Sequence, residues 1–322
     1  MTTTNGVQII AIEEHYNDSE LSALFEGRDA RSAPHIVSRL DDVGALRLGE
    51  MDEGGIDIQV LSHAAPSTQK LDPETAVRVA RNVNDRLKQT IDGNPDRFQG
   101  FAALPTPDPK AAADELERCV DKLGFKGAMI HGLTKGGLFF DDKRFWPIFE
   151  RAEALDVPLY MHPAIPHPDV IKAYYEDYLD DFPALLTAGW GFTVETATQG
   201  IRLVISGVFD AHPGVNIILG HLGESLPFSL WRIDQALSRD GNRPSSFRDT
   251  FCEHFYITTS GNFSDPALLC CIQEMGVDRI LFSVDYPFVA NPLGVEWMER
   301  LSLSAEDKVK ILNGNSKRLL KM

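Results

Sequence analysis

The segment Gln8-Ile9-Ile10-Ala11-Ile12-Glu13-Glu14-His15 runs from an isoleucine-rich apolar stretch straight into two carboxylates and an imidazole. So short and β-branched a run reads as a buried strand of a parallel sheet. Charged groups at its C-terminal end are costly to bury unless something there uses them. Glu13 and His15 are two residues apart, so on a strand they share a face, while Glu14 points the other way. A carboxylate and an imidazole converging at a strand mouth are half of a metal site. Taken alone, the stretch equally allows an ordinary polar strand end.

Further along, the same pattern recurs. Ile56 to His63, Phe98 to Leu104, Gly127 to His131, Val157 to Tyr160, Val215 to Leu219, Phe255 to Thr259 and Arg279 to Phe282 read as further strands. Helical patterns separate them: Ser38 to Gly54, Asp72 to about Asn94, Asp108 to Leu123, Phe145 to Leu155, Thr193 to Phe209, Leu226 to Leu237, Asp265 to Met275 and Ala305 to Lys321. Polar residues up to Pro34 and the aromatic-rich residues 164–192 read as irregular. Eight strands in strict alternation mean parallel pairing and predict an α/β fold, a (β/α)8 TIM-type barrel. It is expected to be a single domain over residues 1–322, with insertions in the βα loops. A doubly wound open sheet is the alternative, but no Gly-rich dinucleotide turn follows the first strand.

Charge and composition narrow the partners. The 322 residues carry a formal net charge of −16, which argues against nucleic acid and anionic membrane surfaces. An anionic small molecule is still allowed, because a metal and a few local donors reverse the field inside one pocket. The cysteines Cys119, Cys252, Cys270 and Cys271 have neither zinc-ribbon nor disulfide-framework spacing. Reduced thiols and a cytoplasmic location are expected. Met1 to Gly6 is not a signal peptide, and no apolar run is long enough to span a membrane.

Aligned by strand end, the chain brings Glu13 and His15, His63, His131, His162, His221 with Glu224, and Asp285 to one face of such a barrel. His35, His167, His212 and His254 fall elsewhere among the nine histidines, and with five at strand ends this is not a random scatter. The C-terminal face is where barrel enzymes keep their chemistry. Glu13, His15, His162 and Asp285 form the candidate ligand set for one divalent ion, Mn2+ or Zn2+. His221 and Glu224 form a candidate acid/base pair, although a carboxylate in a first helical turn is the plain reading of Glu224. His131 is a candidate hydrogen-bond donor to substrate, and His63 is a wall histidine as readily as a functional one. Trp190 and Phe192 are candidates to sandwich an aromatic ring or to fill a subunit interface. Arg232 is a candidate partner of Glu224 or of a substrate carboxylate, with a helical salt bridge as the alternative.

At these residues the chain resembles the amidohydrolase superfamily, and within it the branch of metal-dependent non-oxidative decarboxylases that includes aminocarboxymuconate semialdehyde decarboxylase. Within that branch it resembles the γ-resorcylate (2,6-dihydroxybenzoate) and 2,3-dihydroxybenzoate decarboxylases. The matching stretches include Ala11 to His15, Phe101 to Pro105, Tyr160 to Pro163, Ile217 to Glu224, Trp231 to Asp234, Ile257 to Phe263 and Ile280 to Pro287. The resemblance implies a single metal on Glu13, His15, His162 and Asp285, and catalytic roles for His221 and Glu224; Asp285, at the metal, is the first candidate for a catalytic proton donor. It also implies a small aromatic carboxylate with an ortho hydroxyl as substrate, CO2 and a phenol as products, and a homodimer or homotetramer. The resorcylate enzymes carry Asn at the place of His131 and Trp at that of Tyr286. Both positions are expected beside the substrate, so they bear on ring-substituent preference. A hydrolase of a lactone or amide in the same superfamily is the alternative function. A catalytically inactive barrel used for binding is a third and would require the ligand set to be incidental.

Overall fold

Parallel pairing proceeds in chain order. The computed structural model describes residues 6–27, 33–237 and 246–322. Its strands are β1 (Ile10–Tyr16), β2 (Ile58–His63), β3 (Phe98–Gly100), β4 (Ala102–Ala103), β5 (Ala128–His131), β6 (Leu159–His162), β7 (Ile217–Leu219), β8 (Phe255–Thr258) and β9 (Ile280–Leu281). They form two parallel ladders, β1-β2-β3 and β4-β5-β6-β7-β8-β9. β3 and β4 are the two halves of one barrel strand, divided at Phe101. The Phe101 amide donates to Leu61 O at 2.9 Å, whereas that of Ala102 donates to Gly127 O at 2.9 Å. With helices between successive strands, this is the (β/α)8 barrel.

The seam between β9 and β1 is closed by a side chain. Glu14 Oε1 accepts from Ser283 Oγ (2.8 Å) and the Val284 amide (3.0 Å), and Oε2 accepts from the Tyr286 amide (3.1 Å). Backbone donors join it: Glu13 N–H reaches Ser283 Oγ at 2.6 Å, and His15 N–H reaches Tyr286 O at 2.7 Å. Burial pushes the Glu14 carboxyl up to about 8, against the pull of these three donors. Arg47, fully buried, braces the same strand. Its Nη2 donates to His15 O at 2.5 Å, and its Nη1 reaches Gln59 Oε1 at 3.1 Å.

A bulge sets which side chains face inward. Ala11 pairs with Gln59 but Glu14 with Leu61, so β1 carries one residue more than β2 across this step. Ile10 and Ile12 therefore belong to the inner layer with Val60, Phe101, Met129, Tyr160, Ile218, Leu281 and Leu320. Glu13 also faces inward, where it meets the Tyr160 hydroxyl. Without the extra residue, strict alternation would send Ile12 and Glu13 to opposite faces. The larger core lies outside the strands, where Ile9, Ala11, Leu61, Ile130, Leu159 and Leu219 pack among residues of the helices.

Several boundaries differ from the sequence reading. The helix expected from Ser38 is two helices, Pro34–Asp41 and Ala45–Gly54. They are parted where Asp42 Oδ1 accepts from the Gly44 amide at 2.8 Å. The helix Thr193 to Phe209 ends at Ser206, because Gly207 is left-handed. Residues 164–192 hold short helical turns around a small cluster of Ile171, Tyr175 and Leu186. Helices Phe247–His254, capped by Ser246, and Asn291–Arg300, with Pro292 in its first turn, are additional to the sequence reading. The Met1 to Gly6 reading, and residues 28–32 of the stretch read as irregular, lie outside the described residues, save Gly6 itself.

Glu14→Ala takes the acceptor from four buried donors, Ser283 Oγ, the Val284 and Tyr286 amides and Gln59 Nε2. It should lower unfolding free energy by about 3 kcal/mol or more, read by urea denaturation. Glu14→Gln, which turns an NH2 group toward backbone N–H groups, should recover only part of that loss.

Candidate metal and catalytic site

The strand ends converge as their spacing predicts for one group of residues. Glu13, His15, His162 and Asp285 each offer a ligand atom, and all four atoms lie within 4.8 Å of one another. His162 Nε2 is 3.4 Å and His15 Nε2 4.0 Å from Glu13 Oε1, and His15 Nε2 is 3.3 Å from Asp285 Oδ1. The far ring nitrogens are engaged: His162 Nδ1 lies 2.7 Å from Pro163 O, and His15 Nδ1 is 3.3 Å from Ser62 Oγ. The Pro163 bond turns the Nε2 lone pair of His162 inward. Burial and the neighbouring imidazoles push His162 well below its ordinary pKa, so it is a neutral donor.

This donor set fits a cation. Two carboxylates with two imidazoles, buried together, need a positive charge between them. Among the described residues, Glu13 Oε1 and His15 Nε2 are buried without a hydrogen-bond partner. Two orphaned polar atoms facing each other across such a cluster are what a cation site looks like before its ion is counted.

His221 stands beside the cluster. Its Nε2 is 3.7 Å from both Glu13 Oε1 and Asp285 Oδ2, while its Nδ1 holds Glu224 Oε1 at 2.7 Å. Burial opposes a charge on this ring, but Glu224, Glu13 and Asp285 together hold its pKa well above the ordinary value. Burial likewise disfavours charge on Asp285, but contacts with His15 and His221 outweigh it and keep that carboxyl low. The turn that aims His221 is unusual. His221, Leu222, Gly223, Glu224 and Ser225 all have φ between 51° and 74°, a left-handed run in which four of five residues bear a Cβ. Asp285, at φ 74°, shares that conformation. Strain of this kind persists only where the surroundings over-determine it.

Other predicted positions lie differently. His131 is buried at the inner face with its Nδ1 2.9 Å from His162 Nδ1, behind the ligand. His63 Nδ1 is 2.8 Å from Ala64 O, in the wall. Tyr286 does not join the cluster: its hydroxyl donates to Glu50 at 2.7 Å and its ring lies 4.6 Å from the Arg47 guanidinium. Trp190 and Arg232 are exposed and Phe192 is half-buried. Among the described residues no ion pair joins Arg232 to Glu224. Phe288 was not anticipated; its ring is 5.7 Å from that of His15 and half exposed. Asp285, His221 and Phe288 thus mark the open side of the site, while Glu13 and His15 are sealed.

The amidohydrolase family model matches residues 35–322. The chain belongs to this family. This amidohydrolase-family barrel is 42% identical to the gamma-resorcylate decarboxylase of Polaromonas sp. over 97% of its length and 98% of that protein's. A crystal structure of 2,6-dihydroxybenzoate decarboxylase complexed with 2,6-dihydroxybenzoate is 40% identical, covering 98% of this chain and 99% of that one, with a TM-score of 0.89. The dihydroxybenzoic acid decarboxylase of Polaromonas sp., with bound manganese and the inhibitor 2-nitroresorcinol, gives 41% identity and a TM-score of 0.88, with 98% and 97% of the chains covered.

Gly220 lets the family member close around Glu13. Its φ of −71° suits any residue, but a Cβ there would lie 2.8 Å from Glu13 Oε2 and 3.1 Å from Oε1. Gly220→Ala should therefore displace the carboxylate and weaken divalent-metal binding at least about 10-fold, measured by equilibrium dialysis with manganese.

Proposed function

We propose that this chain is a metal-dependent non-oxidative decarboxylase that converts an ortho-hydroxybenzoate-type aromatic acid into CO2 and a phenol, as one barrel domain over residues 1–322. The observation that carries the proposal is the buried Glu13–His15–His162–Asp285 cluster with its orphaned ligand atoms. The full-length similarity to carboxy-lyases favours decarboxylation over hydrolysis of a lactone or amide.

Glu13, His15, His162 and Asp285 would hold one divalent ion, manganese or zinc. Bound there, it supplies positive charge that orients the substrate's carboxylate and phenolate oxygens and stabilises the phenolate. Asp285 and His221 are the members with access to the open side, at 15% and 22% side-chain exposure. His221, bonded to Glu224 through Nδ1, faces Asp285 Oδ2 with its Nε2. Asp285 Oδ2 takes up a proton there and delivers it to the ring carbon bearing the carboxylate. The ring then carries a dienone, the bond to the carboxylate breaks, and its electron pair returns to the ring as CO2 leaves and the phenol re-forms. One proton is consumed per turnover. Phe288, whose ring lies beside that of His15 at the open side, would flank the substrate ring. Roles for His131 and Tyr286 in ring-substituent preference, for Trp190 and Phe192 as walls to an aromatic ring and for Arg232 toward a substrate carboxylate belong to the same proposal. His131 would act from behind His162, and Tyr286 through Arg47 and Glu50.

A homodimer or homotetramer is part of the proposal. It is supported by the exposed aromatic side chains Tyr174, Tyr178, Phe182, Phe228 and Trp231, apolar surface that association would cover. A cytoplasmic location is supported by four unpaired cysteines. No helix among the described residues is long and apolar enough to cross a membrane.

Manganese- or zinc-loaded protein should release CO2 from at least one member of a panel of ortho-hydroxybenzoates; ester or lactone hydrolysis alone would replace this reading. Asp285→Asn should cut turnover by at least about 10³-fold while aromatic-acid binding persists by calorimetry. Glu224→Gln should cost about 10–100-fold in kcat with little change in KM.

A further inference from the structure

Three hydroxyl groups converge on one oxygen of Glu13. Its Oε2 accepts from Tyr160 Oη, from Ser260 Oγ and, at 3.2 Å, from Thr258 Oγ1. The donors also touch one another: Tyr160 Oη is 2.9 Å from Thr258 Oγ1, which is 2.8 Å from Ser260 Oγ. All four side chains are fully buried. Ser260 is further constrained, because its Oγ accepts the His221 amide at 3.0 Å. Its single proton is thereby left for Glu13 or Thr258.

The other oxygen is treated in the opposite way. Glu13 Oε1 has no hydrogen-bond partner among the described residues and faces the Nε2 atoms of His162, His221 and His15. One oxygen is saturated and the other is bare. Packing does not account for the hydroxyls. Tyr160 shares its inner layer with Phe101, Met129 and Ile218, where a phenylalanine ring would fill the same space. A buried tyrosine or threonine hydroxyl is costly without a partner, and here all three share the same carboxylate oxygen.

We infer that Tyr160, Thr258 and Ser260 are positioning residues that lock Glu13 with Oε1 alone presented to the cation, and that Ser260 ties this orientation to the placement of His221. The inference rests on Glu13 being a metal ligand, as proposed above. A carboxylate free to turn offers both oxygens to an ion, as flexible sites do. Holding Oε2 in the protein keeps a coordination position open for the oxygens of the substrate.

The test is manganese affinity, measured by competition with a chelating dye on metal-stripped wild type, Tyr160→Phe, Thr258→Val, Thr258→Ser and Glu13→Gln. Urea unfolding of each metal-stripped protein checks that it is folded. The near-isosteric losses of hydroxyl, Tyr160→Phe and Thr258→Val, should raise the Kd about 10–100-fold, while Thr258→Ser, which keeps the hydroxyl, stays within about threefold of wild type. Should Tyr160→Phe fail to fold, the two Thr258 variants decide. Equal losses in Thr258→Val and Thr258→Ser would mean packing rather than hydrogen bonding and would overturn the inference. Wild-type affinity in both hydroxyl-free variants, with Glu13→Gln impaired, would also overturn it and leave the metal site standing. Unchanged affinity in Glu13→Gln would overturn the metal-site reading itself.

Discussion

The carboxylate of Glu14 holds the first strand to the end of the last, and the site is built on that clasp. Glu14 sits between Glu13 and His15, and the backbone amides it binds, those of Val284 and Tyr286, stand on either side of Asp285. Closing the barrel therefore brings three of the four candidate metal donors together in the same act. The partners are 270 residues apart in the chain, so no local preference assembles them. The loop-closure entropy is met by the whole ladder of strands and the core around it. Arg47 strengthens the arrangement by fixing the carbonyl of His15.

Much of this was legible from residue types. Histidines and carboxylates recurring at the ends of apolar runs, with helix signals between, pointed to the barrel, its reactive face and the cluster of Glu13, His15, His162, His221, Glu224 and Asp285. What escaped was whatever depends on backbone detail. Alternation reads a regular strand, so the bulge that turns both Ile12 and Glu13 inward was invisible. Glu14 looked like the idle member of its trio because its partners lie in distant sequence. Tyr286 follows Asp285 and was placed beside the substrate, yet its ring is drawn to a buried guanidinium that no short-range pattern announces. Phe288 lies in a stretch without periodicity and was passed over.

The site grades from sealed to open. Glu13 and His15 have no exposed surface, whereas Asp285 and His221 keep some. That gradient matches the proposed roles: ligands that only hold can be buried without penalty to turnover, whereas groups that move a proton must reach the substrate. Gly261 marks the same boundary. A Cβ there would lie 3.2 Å from Asp285 Oδ2 and 3.5 Å from His221 Cδ2, so the space beside these two side chains depends on that residue having no side chain.

The left-handed run from His221 to Ser225 has a consequence for anyone seeking a tougher protein. Leu222, Glu224 and Ser225 occupy a conformation that glycine adopts freely and other residues resist. Relaxing that turn is an easy source of stability, and a selection for heat resistance alone would be drawn to it. The same relaxation would release the aim of His221 at Asp285. Under the proposed mechanism robustness and turnover compete within five consecutive residues, and a campaign to harden this barrel does better to leave that turn untouched and work on the outer helices.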